Sequence, residues 1–224
     1  MKNGSLVLGL TVLGALHAPA QEGDKVEQYR GMLLKRPENA VVFGRLVDAW
    51  LESGEMAGLK DYLEAKAKAG GAMDWRLLAV YRNYAGDEAG AVAALDEAVK
   101  ISPDDARARL ARAKALAAAS RFEEALADLD AAAKDAAVAM EAGALRGKFL
   151  ARAGRPADAV KAWKEIIAAN PADEGLREDM IELEIGEGLM DEAVVSAREL
   201  ADKTADPYQK ALRRMRVAEI LALA

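Results

Sequence analysis

The apolar positions of this chain recur three and four residues apart, in runs of single-helix length punctuated by glycine, proline or a capping residue. Gln21–Lys35 gathers Val26, Tyr29, Leu33 and Leu34 on one face, and Arg36-Pro37 ends it because proline disfavours helix in the residue before it. Asn39 is placed to cap the next run, where Phe43, Leu46, Val47 and Trp50 follow the i, i+3, i+4, i+7 pattern. Gly54 turns the chain, Met56–Lys68 carries Leu59, Tyr62 and Leu63, and Gly70-Gly71 breaks the pattern again.

From there the pattern is periodic. Gly86, Ser120, Gly154 and Gly188 are turn residues 34 apart, and Gly54 stands 32 before the first of them. Behind the turns lie Ala91, Leu95 and Ala98, then Ala125, Leu129 and Ala132, then Ala159, Trp163 and Ile166, and finally Ala193, Ala197 and Leu200. Ahead of them lie Leu78 and Ala79, then Leu110, Ala113 and Leu116, then Arg146, Gly147 and Leu150, and finally Met180 and Ile181. Asp105 and Asp173 are expected helix caps, Pro156 stands at a helix start, and Ser120 with Glu123 has the S-x-x-E form of a capping box. Pro103 and Pro171 close two units, and Asp206-Pro207 opens a last helix, Tyr208–Ala224. The next turn would fall at residue 222. The last helix is therefore either a cap or the start of a further unit, and its apolar end, Ile220–Ala224, favours a fragment of a longer array.

Composition agrees with helices. Hydrophobic residues make up 52% of the 224 but aromatic ones only 5%, so much of the apolar count is alanine, leucine and valine. A net charge of −6 argues against a general nucleic-acid binder. There is no cysteine, and the single histidine, His17, lies in the N-terminal segment. Thiolate chemistry is excluded, and a chain without that segment lacks the commonest general base and transition-metal ligands. No cofactor or metal is expected. Trp50, Trp75 and Trp163 sit in apolar faces and are expected to be core.

Residues 1–20 combine Lys2, the apolar stretch Leu6–Leu16 and Ala18-Pro19-Ala20, the three parts of a secretory signal peptide cleaved after Ala20. The mature chain is then expected in a periplasm or outside the cell, without stable membrane insertion.

A 34-residue period with two helices per unit resembles the tetratricopeptide repeat. The resemblance rests on small residues at Ala79, Ala113 and Gly147, turn residues at Gly86, Ser120 and Gly154, alanine at Ala91, Ala125 and Ala159, and large residues at Leu95, Leu129 and Trp163. It implies an all-α, right-handed superhelix of antiparallel helix pairs: a signal peptide (1–20), a flanking helix (21–37), five repeats (40–71, 72–105, 106–139, 140–173 and 174–207) and a last helix (207–224). The departures are the 32-residue first unit with Leu59 at an alanine site, Ile181 at a small site, and Arg109 and Gly143 where a leading aromatic is usual.

The resemblance implies a non-enzymatic scaffold holding a protein or peptide in a groove lined by the first helix of each pair. Arg45, Arg76, Asn83, Tyr84, Arg107, Lys114, Lys148 and Arg152 face that groove by phase, with Glu178 and Glu182 ending the basic run. An acidic peptide is one candidate ligand; the alternative is that these charges pair with neighbours such as Glu141 or Glu182. Two other readings compete: the N-terminal arm of a longer secreted protein, and a carboxylate hydrolase, which the scarcity of aromatics disfavours.

Overall fold

A computed structural model of the chain describes residues 20–52 and 58–223, with side chains from residue 25 onward. The expected signal peptide, apart from Ala20, and the turn at Gly54 lie outside the described residues. All regular structure among the described residues is helical. The helices are α1 (Ala20–Leu33), α2 (Ala40–Glu52), α3 (Gly58–Ala69), α4 (Ala72–Tyr84), α5 (Glu88–Ile101) and α6 (Ala106–Ala118). They continue as α7 (Phe122–Ala132), α8 (Ala139–Arg152), α9 (Pro156–Ala169), α10 (Glu174–Gly186), α11 (Met190–Lys203) and α12 (Pro207–Leu223). The chain divides into two compact units, Met1–Tyr62 and Leu63–Ala224.

In the first unit Val26 and Leu33 of α1 and Phe43, Leu46, Val47 and Ala49 of α2 are buried. Asn39 caps α2 by accepting from the Val42 amide at 3.1 Å. Trp50 is only half-buried and packs on Tyr62 with ring centroids 5.0 Å apart.

The second unit is an all-α solenoid of antiparallel helix pairs. The pairs are α4/α5, α6/α7, α8/α9 and α10/α11, with α12 packed against α11. One turn joins the two helices of every pair. Gly86, Ser120, Gly154 and Gly188 all have positive φ, between 60° and 77°. The amide just beyond each reaches back five residues: Asp87 to the Arg82 carbonyl, Arg121 to Leu116, Arg155 to Leu150 and Leu189 to Glu184, all at 2.8–2.9 Å. This is the Schellman closure of a helix C-terminus, and it needs a left-handed residue. Three of the four sites hold glycine; Ser120 adopts that conformation at a steric cost.

That geometry corrects one expectation. Ser120 is not the N-cap of α7 and forms no capping box; Arg121 is the N-cap, with no side-chain cap bond. The S-x-x-E pattern is local, whereas the 34-residue register places Ser120 at the end of α6. The other expected caps form: Asp105 accepts from the Arg107 and Ala108 amides, Asp173 accepts from Leu176, and Pro156 opens α9.

The two helices of a pair cross where a small residue meets a large one. Ala79 with Leu95 and Ala113 with Leu129 are buried pairs of this kind. At the third crossing the large residue is Trp163, 1% exposed, and the small one is reduced to Gly147. The fifth repeat inverts the assignment: Ile181 takes the small site and Ala197 the large one, and both belong to one core cluster. Summed volume at the crossing, rather than residue type at either site, is what close packing constrains. Trp75, expected in the core, is half-buried.

Candidate functional site

The first helices of the pairs carry the candidate groove residues, and each can now be located. On α4, Asn83 and Tyr84 are exposed near the C-terminus. On α6, Arg107 is exposed, and Lys114 donates to Glu141 Oε1 of α8 at 2.7 Å. On α8, Lys148 and Arg152 both reach Glu187, which follows α10, at 3.7 and 3.1 Å. Arg45 is exposed on α2 of the first unit.

Arg76 does not present to a groove, contrary to the phase reading. It is 2% exposed and donates from Nη1 to Asp105 Oδ2 at 3.2 Å. Asp105 serves as the cap of α6, so its carboxylate is held over α4 and draws the guanidinium inward.

Lys114 and Lys148, 34 residues apart, therefore do not form a column of uncommitted cations. Each is matched by a carboxylate of the following first helix or of the turn after it. The ladder continues with reversed polarity. Arg213 of α12 donates to Glu174 and Glu178 of α10 at 2.9 Å each, and Arg216 donates to Glu182 at 2.6 Å. These bonds join successive repeats along one face. Most involve half-exposed partners, so each contributes ~1 kcal/mol or less to stability.

Between α8 and α10 this face opens into a recess of about 650 Å³. Its walls are Met140, Ala144, Leu176, Met180 and Leu183, and its charged lining is Glu141, Asp179 and Glu182. Met140 is 50% exposed there. This apolar patch of Met140, Ala144 and Leu183 lies outside the set of charged and aromatic groove residues expected from the sequence.

Two further arginine arrangements are structural. Arg109 and Arg177, 68 apart, stand where the repeat resembled has an aromatic. Arg109 Nε donates to the Pro103 carbonyl at 2.8 Å and Arg177 Nη2 to the Pro171 carbonyl at 2.6 Å, tying each first helix to the preceding loop. At Gly143, the third such site, the space is filled by Ile166; a Cβ there would lie 2.9 Å from Ile166 Cδ1. The buried Asp128 carboxylate accepts from Arg109 Nη1 at 3.2 Å and from Arg112 Nε and Nη2 at 2.6 and 2.7 Å. The bond to Asp128 raises the Arg112 pKa above its ordinary value.

Among the described residues no group of three or more histidine, cysteine or acidic side chains is placed to hold a metal ion. No described helix is long and apolar enough to cross a membrane.

No protein-family model matches the chain. No curated protein matches it either. Solved structures do. A tetratricopeptide repeat protein from Parabacteroides merdae superimposes with a TM-score of 0.54 at 18% identity, over 87% of this chain and 74% of that one. The chain has the tetratricopeptide-repeat fold. TTC0263, a thermophilic TPR protein of Thermus thermophilus, gives 0.52 at 20% identity over 86% of this chain and 99% of its own. PilF of Pseudomonas aeruginosa gives 0.53 at 16% identity over 90% and 86%. At these identities the likeness is one of fold.

Proposed function

We propose that this tetratricopeptide-fold protein is a non-catalytic scaffold that binds a protein partner as an extended segment lying across the first helices of the second unit. The observation that carries the reading is the apolar recess between α8 and α10, open on that face and flanked by charge ladders. An apolar side chain of the partner would enter between Met140 and Leu183, where desolvation supplies the affinity. The exposed Arg107 and Lys114 would meet an acidic stretch beside it; Lys114 would exchange Glu141 for the ligand carboxylate, at little cost because that pair is half-exposed. Repeat stacking preforms the surface, which lowers the ordering cost of binding.

The partner would be met in a periplasm or outside the cell, on the strength of the signal-peptide pattern of residues 1–20.

The test is to compare the wild-type chain with Met140→Glu and with the triple alanine variant of Arg107, Lys114 and Lys148 as immobilised baits. Met140→Glu should lose the specific partner, and the triple variant should weaken its capture and the salt dependence of capture. Unchanged capture by both, with circular dichroism and Tm also unchanged, would overturn the proposal.

A further inference from the structure

The fifth helix pair contains a carboxylate that its fold position does not call for. Glu184 of α10 lies in register with Leu116 and Leu150, which are core residues of α6 and α8. It is as buried as they are, at 2% exposure. Its Oε1 accepts from Ser196 Oγ of α11 at 3.0 Å, while Oε2, also buried, has no hydrogen-bonding partner among the described residues. The contrast is Asp128, a carboxylate equally buried at 2% exposure, which two arginines clamp through three bonds. The arginine in register with Arg109 is Arg177, and it is committed instead to the carbonyls of Pro171 and Asp173.

Glu184 lines a cavity of about 260 Å³ between α9, α10 and α11. Trp163, Ile167, Met180 and Leu200 make its apolar lining. Lys164 and Lys203 are its exposed cations. Lys203 pairs only loosely with Glu199, at 3.9 Å with both side chains more than half exposed. Lys164 has no ion pair within 4 Å among the described residues, although its charge acts on Glu184 from a distance. The cavity has room for roughly eight waters at ~30 Å³ each, the size of a small organic molecule. The side-chain oxygens of the lining are those of Glu184, Glu199 and the Ser196 hydroxyl, short of the about six or more that a hard cation takes, and Lys164, Arg177 and Lys203 line the same cavity.

We propose that this cavity binds a small molecule carrying an ammonium group and a carboxylate on an apolar body, the chemistry of an amino acid. The ammonium donates to Glu184 Oε2 and supplies the counter-charge that the fold withholds. The carboxylate faces Lys164 and Lys203, and the apolar body lies against Trp163 and Leu200. A neutral or purely cationic ligand would leave the lysines unused, and a pure anion would face the carboxylate. Glu184 lies on the opposite side of α10 from Glu182 and the charge ladder, and Met180 is the one side chain that lines both this cavity and the proposed protein-binding recess.

The experiment is calorimetric titration of the full chain with leucine, 4-aminobutanoate, butylamine and butanoate, repeated on Glu184→Gln and Glu184→Leu. Glu184→Leu restores the residue of the preceding repeats, and Glu184→Gln keeps the shape if the leucine variant does not fold. At least one of the two ammonium carboxylates should bind saturably, butylamine at least tenfold more weakly and butanoate not at all, and both variants should weaken the zwitterion at least tenfold. Binding of butanoate as tightly as the zwitterions, affinity retained by Glu184→Gln, or no binding of either zwitterion at 10 mM overturns the proposal.

Discussion

Gly147 of α8 is the only residue type that Trp163 of α9 permits opposite it. A Cβ built on Gly147 would lie 2.0 Å from Nε1 and 2.4 Å from Cε2 of the indole, far inside van der Waals contact. Trp163 is 1% exposed, and its Nε1 donates to the Ala144 carbonyl at 3.0 Å. Gly147→Ala should therefore destabilise the protein by about 1–3 kcal/mol, as overpacking does. In the background of Trp163→Leu, which reproduces the Ala113–Leu129 crossing, the same alanine should cost much less or stabilise. A double-mutant cycle in urea measures the difference, and a coupling near zero would show that the crossing is not where the register puts it.

Ser120 holds a left-handed conformation that its three counterparts delegate to glycine. Ser120→Gly should stabilise by about 0.5–1 kcal/mol, since the steric relief of roughly 1–2 kcal/mol is partly offset by the entropy of an unfolded glycine. Gly154→Ala should destabilise by about 1 kcal/mol. Equal and opposite signs at the two sites, read from urea midpoints, are the signature of a shared turn.

These two positions show what the sequence made legible. The 34-residue period located the turns and the crossings because each is a backbone or packing requirement that recurs, and capping chemistry located Asn39, Asp105 and Asp173. It could not say that Ser120 ends a helix rather than starting one, since S-x-x-E satisfies a local pattern whichever helix it borders. Arg76 was read as outward from phase alone, and its burial depends on Asp105, 29 residues away. Pairing of the groove charges with neighbours such as Glu141 was the alternative to a free basic groove, and Lys114 makes that pair; the choice of Glu187 by Lys148 and Arg152 is set by side-chain reach between helices, which phase does not encode. Glu184 was within reach of the same phasing, 34 after Leu150, at a position that is apolar in the two preceding repeats; Arg82, 34 before Leu116, is the other charged residue of that series and pairs with Glu64.

Burial raises the pKa of Glu184, and the bond from Ser196 opposes that rise. Lys164 also lowers it, while Glu192 and Glu199 raise it further. The folded protein thus holds this proton more tightly than the unfolded chain, where an ordinary glutamate titrates near ~4.3. The contribution to stability is complete below that value and is lost as pH rises through the higher folded pKa. Wild type should lose Tm relative to Glu184→Gln over that window, and Glu184→Gln should be the more stable at pH 7. Parallel Tm profiles for the two proteins would contradict the assignment.

Asp128 is the opposite case, a buried acid fully supplied with donors. Asp128→Ala should cost about 1–3 kcal/mol, because it strands Arg109 and Arg112, though both are about one quarter exposed and water relieves part of the loss. Arg112→Lys should fail to restore the clamp, since an ammonium cannot reproduce the two-point contact. Chemical denaturation of the three proteins decides it.

The central claim is that the first-helix face of the second unit, and the recess at Met140 in particular, is where a protein partner lies. The most direct measurement places a photocrosslinking amino acid at Met140 and, in a second protein, at Lys161, an exposed residue of the second helix α9. Both are expressed in the native host and irradiated. A discrete heavier adduct from position 140, absent from position 161, is the expected result. No adduct from 140, or the same adducts from both, would contradict the account.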